Sequence, residues 1–291
     1  MTIDEQALLN WKFPTSTVVY GDTEVMLYAL GVGLGSDPTD EADLKFVYED
    51  GLQVLPTFAA ILGHPGPWYQ DPASGIDWVN VVHGEQSLVL HAPLAAADRL
   101  VCRTSVTDVE DKGDGRGALV SWRRTLEREN TGEPVATCDS VLFCRADGGF
   151  GGEPGPKRVP APWPEGSPTA QSVARISPRA GLIYRLSGDR NPLHVDPKTA
   201  AEAGFDRPIL HGLCTYAMAT YAVIREFASS DADRLARVRV RFRTPVFPGE
   251  TLRTDMWLED GGTVRFRSTS VDRDVVVLDA GLAQLRGFTD E

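Results

Sequence analysis

The chain has 291 residues, 42% of them hydrophobic and 24% charged, and a formal net charge of −12. That length supports one large domain or two of ordinary size, and the composition excludes wholesale disorder. The acidic balance argues against a nucleic-acid partner, since duplex binding neutralises phosphates, so any anionic ligand has to find a local basic patch. In chain order, a polar lead-in gives way to a short strand at Thr17-Val18-Val19-Tyr20, and Asp22 caps a helix through Val25, Met26, Ala29 and Leu30. Gly31-Val32-Gly33-Leu34-Gly35-Ser36 has the look of a dinucleotide loop, but Asp37-Pro38 follows it and offers no helix for a pyrophosphate. Leu55 to Leu62 reads as a short apolar helix before a loop rich in Pro, Gly and Trp at His64-Pro65-Gly66-Pro67-Trp68. Strand patterns then cover 86–91, 100–109, 117–127 and 134–145.

Residues 147–170 change character, from Gly148-Gly149-Phe150-Gly151-Gly152 into a proline-rich run. Such a segment reads as a linker, which divides the chain into 1–146, the linker 147–170, and 171–291. The second part offers a helix over about 178–187, a longer one from about 212 to 228, and strands over 237–244, 251–259, 263–271 and 275–286. In the longer helix Leu213, Ala217, Tyr221 and Ile224 recur at near-helical spacing and predict a buried face.

Nothing in the N-terminal sequence resembles a signal peptide and no apolar run reaches the length of a membrane span, so a cytoplasmic location without membrane contact is the expectation. Cys102, Cys138, Cys144 and Cys214 form no Cys-x-x-Cys pair and read as free thiols rather than a zinc cluster.

The two parts are read as copies of one unit. Tyr28 aligns with Tyr184 at an offset of 156, Leu55 with Leu210 at 155, and Pro93-Leu94 with Pro245-Val246 at 152. At these offsets Asp189 faces Gly33, His194 faces Pro38 and His211 faces Pro56, none of which exchanges a proton. Chemistry is therefore expected only in the second copy, leaving the first to enlarge a substrate cavity.

The chemistry-bearing stretch is Tyr184-Arg185-Leu186-Ser187-Gly188-Asp189-Arg190-Asn191-Pro192-Leu193-His194. A carboxylate and an imidazole five residues apart cannot share a helix face, but a stiff Asn-Pro turn aims both at one pocket. Two such groups suit general acid–base work on a bound water. Downstream, Leu210-His211-Gly212 sits where a buried helix begins, and the unobstructed Gly212 N–H is a natural donor to a developing oxyanion.

Together with Thr244-Pro245-Val246-Phe247-Pro248-Gly249-Glu250-Thr251-Leu252, these motifs resemble the R-specific 2-enoyl-CoA hydratases, MaoC-like and of type 2. The two-copy layout is similar to the hydratase part of the peroxisomal multifunctional enzyme of fatty-acid β-oxidation. The resemblance implies an α+β double hot-dog fold, two tandem units each wrapping an antiparallel sheet around a central helix. It implies hydration of trans-2-enoyl-CoA to (R)-3-hydroxyacyl-CoA, with Asp189 and His194 as the catalytic pair. Asn191 shapes the loop, and the Gly212 N–H binds the thioester oxygen. It also implies an acyl-CoA substrate with a bulky, long-chain or sterol-side-chain acyl group. No cofactor or metal is implied, coenzyme A being part of the substrate, and the further partner expected is at most a second copy in a homodimer.

Each residue has a blander role beside this one. His211 is a candidate for substrate binding, but it equally suits capping or packing the helix. Arg237, Arg239, Arg241 and Arg243 alternate with apolar residues and suit a solvated strand face; the sharper expectation is that Arg241 and Arg243, helped by Arg265 and Arg267, dock coenzyme A phosphates. His194-Val195-Asp196 with His211 loosely resembles a metal triad, but a helix start intervenes. His64, His83 and His91 fall in the copy without chemistry and read as structural; Tyr28 and Tyr184 read as packing residues. The competing functions are a dehydratase acting on carrier-protein thioesters, a non-catalytic acyl-CoA-binding subunit and, by fold alone, a thioesterase.

Overall fold

The computed structural model describes residues 2–156 and 162–288. The first half contains α1 (Glu5–Leu9), β1 (Ser16–Tyr20), α2 (Asp22–Val32) and α3 (Glu41–Val47), then strands β2 (Val81–Leu90), β3 (Asp98–Asp111), β4 (Ala118–Arg128) and β5 (Pro134–Cys144). The second half repeats this with β6 (Ala170–Arg175), α4 (Ala180–Tyr184), α5 (Pro197–Glu202), α6 (Gly212–Phe227), β7 (Leu235–Phe242), β8 (Thr251–Glu259), β9 (Thr263–Ser270) and β10 (Val275–Leu285).

All strands join one antiparallel sheet in the order β1-β3-β4-β5-β2-β7-β10-β9-β8-β6. Read from either end, each half has the same order, so the sheet is a palindrome about the β2–β7 seam, where Glu85 lies opposite Arg241. Near the centre the backbones of the two copies touch. A methyl on Gly31 of α2 would lie 3.0 Å from the Tyr184 Cα, and the Tyr28 and Tyr184 rings lie 5.6 Å apart. The two tyrosines that align in sequence therefore pack on each other.

Helix α6 is buried on nearly every side rather than along one stripe, with Cys214–Ala217 and Ala219–Ile224 all inside. Ala217, Ala219 and Ala222 let the sheet wrap close around it, and an apolar circumference is what an enclosed helix needs. The corresponding position in the first half holds only a 3₁₀ turn, Pro56–Ala60. Proline at its start fits that turn. Its end is met by Arg124, 1% exposed, which donates to the Ala59 and Ala60 carbonyls at 3.2 and 2.6 Å. In the register of the second half, Phe266 stands where Arg124 does. The helix expected in the first unit is thus reduced to a single turn.

Residues 147–156 are tied down more firmly than a free linker. The Asp111 carboxylate accepts from the N–H groups of Gly113, Gly149 and Gly151 at 2.7–2.8 Å, and Lys112 donates to the Pro154 carbonyl at 2.6 Å. Those backbone donors hold the Asp111 carboxyl below its usual range. Further on, Trp163 packs on Trp257 and beneath Arg265 and Arg267. The part of the expected linker at 157–161, with Pro160, lies outside the described residues.

Candidate active site

After α4 the chain makes a 3₁₀ turn, Arg185–Ser187, and reverses at Gly188, whose φ of 132° favours glycine. The Asp189 Oδ1 accepts the Asn191 N–H, and the Asn191 Oδ1 accepts the Leu193 N–H, both at 3.1 Å. Pro192 opens the short turn that carries His194. The His194 Nδ1 lies 2.9 Å from the Ile209 carbonyl, which only accepts, so Nδ1 carries the proton and Nε2 presents a lone pair. The result is a separation of 4.0 Å between the His194 Nε2 and Asp189 Oδ2. This gap is too long for a direct hydrogen bond and suits one water donating to both groups.

His211 lies behind the pair. Its ring stacks on His194 at 3.7 Å and its Nε2 donates to the Asp189 backbone carbonyl at 3.2 Å. Burial, then the neighbouring His194, pushes the His211 imidazole down to about 3, and burial likewise lowers His194. Both rings are therefore neutral near physiological pH. Intrahelical bonds in α6 begin at the Cys214 and Thr215 N–H groups, both to the His211 carbonyl, so the Gly212 N–H precedes them. A methyl at Gly212 would meet the Phe242 ring at 3.2 Å.

Asp189, Asn191, His194 and Gly212 all border one cavity of about 1640 Å³ that crosses the β2–β7 seam into the first half. This exceeds the roughly 300–1,000 Å³ of common small-molecule sites.

Residues 161–280 match the MaoC like domain, and residues 19–146 match the MFE-2 hydratase 2 N-terminal domain. The chain is 37% identical to the peroxisomal enoyl-CoA hydratase 2 of Arabidopsis thaliana, covering 97% of this chain and 95% of that protein. It is 38% identical to the enoyl-CoA hydratase ChsH3 of Mycobacterium tuberculosis, over 97% and 98% of the two chains. A crystal structure of a MaoC-like dehydratase from Phytophthora capsici superposes with a TM-score of 0.84 at 32% identity, covering 98% of this chain and 99% of that one. The chain belongs to the two-domain MaoC-like hydratase family.

As a MaoC-like double hot-dog protein, it places the expected site residues unequally. Asp189, Asn191, His194 and Gly212 converge on one end of the cavity. His211, expected to bind substrate, is not among the residues bordering the cavity: it is 1% exposed and stacked on the His194 ring, where it suits the packing role the sequence also allowed. Arg241 and Arg243 do line the cavity, but the Arg241 guanidinium is engaged by Glu85 at 2.9 Å. Arg265 and Arg267 are not on its walls, because they lie over Trp163.

Sequence reading missed Lys112, Arg116 and Arg145, which bring three cations from the first half to the walls that hold Arg241 and Arg243. Of these five, Lys112 pairs with Glu110 and Arg241 with Glu85, so Arg116, Arg145 and Arg243 supply most of the local basic patch an anionic ligand needs on an acidic body. His64 and His83, read as structural, also border the cavity; His83 packs against Phe242 at 4.7 Å, and burial lowers it to about 4. The signal for these was present only as the duplication, which says that both halves share one interior.

Asp189, His194 and His211 each offer a ligand atom within 4.8 Å of the others. One nitrogen of each ring is already committed to a backbone carbonyl. Asp196 caps α5, accepting from Lys198 and Thr199. The donor set fits a hydrogen-bonded acid–base site better than a metal centre.

Proposed function

We propose that this protein catalyses the reversible addition of water to trans-2-enoyl-CoA, giving (R)-3-hydroxyacyl-CoA, in lipid breakdown of the β-oxidation type. The observation that carries the reading is the 4.0 Å gap between the Asp189 Oδ2 and His194 Nε2 on a cavity that also receives the Gly212 N–H. A water donating to both acceptors turns its oxygen lone pair toward C3 of the bound enoyl group. As the C3–O bond forms, one water O–H bond breaks and its proton passes to this pair. The alkene π electrons move toward the thioester carbonyl, whose oxygen charge the Gly212 N–H stabilises at the start of α6. A proton from the same pair then forms the C2–H bond. Both additions come from one side, so the expected stereochemistry is syn. The reaction is redox-neutral and calls for no redox cofactor, and the two side chains supply the proton transfers without a metal.

The acyl group is proposed to be bulky, long-chain or derived from a sterol side chain. Supporting this, the cavity of about 1640 Å³ extends into the first half, where the 3₁₀ turn at Pro56–Ala60 stands in place of a helix like α6. The five cations on the cavity walls favour coenzyme A, with its phosphates, over a carrier-protein thioester.

The test is to follow enoyl absorbance with crotonyl-CoA, a long-chain enoyl-CoA and a sterol-side-chain enoyl-CoA, beside a carrier-protein thioester, and to determine product configuration. Asp189→Asn and His194→Gln are expected to lower kcat by at least about 10³-fold while remaining folded. Near-wild-type turnover in either variant removes the reading, and a preference for the carrier-bound thioester redirects it to a dehydratase.

A further inference from the structure

The first-half wall of the cavity holds a polar atom that the proposed chemistry does not use. His64 follows the shortened 3₁₀ turn, and its counterpart at the offset of 155 is Ala219, deep inside α6. Its Nδ1 accepts the Gly66 N–H at 3.1 Å. Because Nδ1 accepts, the neutral ring carries its proton on Nε2. That N–H has no hydrogen-bond partner among the described residues, and water reaches the ring from the cavity. Around it the wall is aromatic, with Trp122 edge-on at 5.2 Å and Trp68 and Tyr69 nearby. His64 and Trp68 also wall a second pocket of about 590 Å³, bordered by Trp11, Phe13, Pro14 and Val18 together with the polar Lys12, Thr17, Asp71 and Thr104.

A single fixed donor in an aromatic wall is an arrangement for selection. An apolar chain gains little from it, whereas an oxygen at the right depth gains a hydrogen bond. We propose that His64 is a specificity-determining residue. Its Nε2 donates a hydrogen bond to a hydroxyl or keto oxygen carried on the acyl group beyond the reacting carbons, and the pocket beyond His64 and Trp68 takes the remaining tail. The inference rests on the hydratase reading for its substrate and adds a subsite that distinguishes oxygenated from plain acyl groups.

The experiment measures kcat/KM for matched pairs of trans-2-enoyl-CoA, with and without a terminal hydroxyl, at short, medium and long chain lengths. The wild type is expected to prefer the hydroxylated member at one length only, by about 3- to 10-fold, as one net hydrogen bond allows. His64→Leu is expected to bring that ratio to about one, while His64→Gln, which keeps a donor, retains part of it. A ratio that His64→Leu leaves unchanged, or no preference at any length, overturns the proposal. Should the wild type hydrate no enoyl-CoA at all, the hydratase reading is what fails. The same pairs measured by calorimetric binding to wild type and His64→Leu then decide the subsite, equal ratios overturning it.

Discussion

His211 touches no substrate in the proposed reaction, and its substitution offers a sharp test of how the acid–base pair is held. Replacing it by Phe keeps a ring to stack on His194, where the present separation is 3.7 Å, but removes the donor that holds the Asp189 carbonyl at 3.2 Å. Losing that bond costs about 0.5–1.5 kcal/mol, and a carbonyl left dry costs about 1–3 kcal/mol. Asp189 is an exposed residue, so water can reach its carbonyl and the lower figure applies. The larger effect is geometric. The Asp189 and His194 side chains bracket a gap of 4.0 Å, and a misplacement of about 1 Å in such a site lowers rates on the order of 10²-fold. His211→Phe is therefore expected to reduce kcat by about 10- to 100-fold with KM within about twofold of wild type, since the coenzyme A end of the cavity is untouched. Steady-state kinetics with crotonyl-CoA read both parameters, and thermal unfolding monitors the fold. An unchanged kcat in a folded variant would show that His194 and its neighbouring loop hold Asp189 without help. A rise in KM alone would place His211 back among the substrate contacts.

Gly212→Ala pushes a methyl toward the Phe242 ring at the N–H proposed to bind the thioester oxygen, and is expected to lower kcat by about 10²-fold in the same assay. Arg243→Ala should raise KM for acyl-CoA several-fold and weaken its salt dependence, leaving kcat nearly intact; a salt-insensitive KM in wild type would contradict a basic mouth. Asp43→Ala removes the acceptor of the Tyr221 hydroxyl at 2.5 Å and of the Gly35 N–H at 2.9 Å between α3 and α6. It should cost about 2 kcal/mol by urea unfolding, discounted because Arg225 is half-exposed and keeps Asp40. For acid stability, His83 and His211 stay neutral in the fold down to about 4 and about 3, whereas unfolded histidine takes a proton near 6.5. The unfolded state thus binds more protons across that window, and stability is full above about pH 6.5 and falls as pH drops toward 4. A urea midpoint that is flat from about pH 7 to 5 would show that neither ring is held neutral.

Strand periodicity and turn residues made most of the second half legible: β8 falls on 251–259 as the pattern predicts, and α6 matches to within a residue. The offset arithmetic anticipated the mirrored sheet, because strand order in a duplicated unit follows from the order of its elements. Short helices escaped notice, α1 and α3 being one or two turns set by aspartate caps rather than by any long apolar period. β6 went unread at the start of the second part, as its pattern of alternate half-burial at a sheet edge carries few apolar residues. The acid–base pair was visible since it sits within one turn, where local chain stiffness fixes geometry. The roles of His64, Lys112 and His211 were not, because each depends on which surfaces meet across the fold. A strand alternating Arg with apolar residues, as in β7, does not reveal in one dimension which arginine ends at a cavity mouth and which in water.

The interior of this protein belongs to neither copy alone. One apolar cluster runs without a break from Tyr20, Phe58 and Leu100 in the first half to Ala217, Met256 and Leu285 in the second. Having given up its own enclosed helix, the first copy completes its packing on its neighbour, so it cannot be discarded as a relic. Cutting the chain between residues 147 and 170 should leave two fragments that stay associated, each unfolding when deprived of the other. A copy that has lost its proton-transfer groups is thereby retained for a mechanical reason, and its walls remain free to change with the shape of what they enclose.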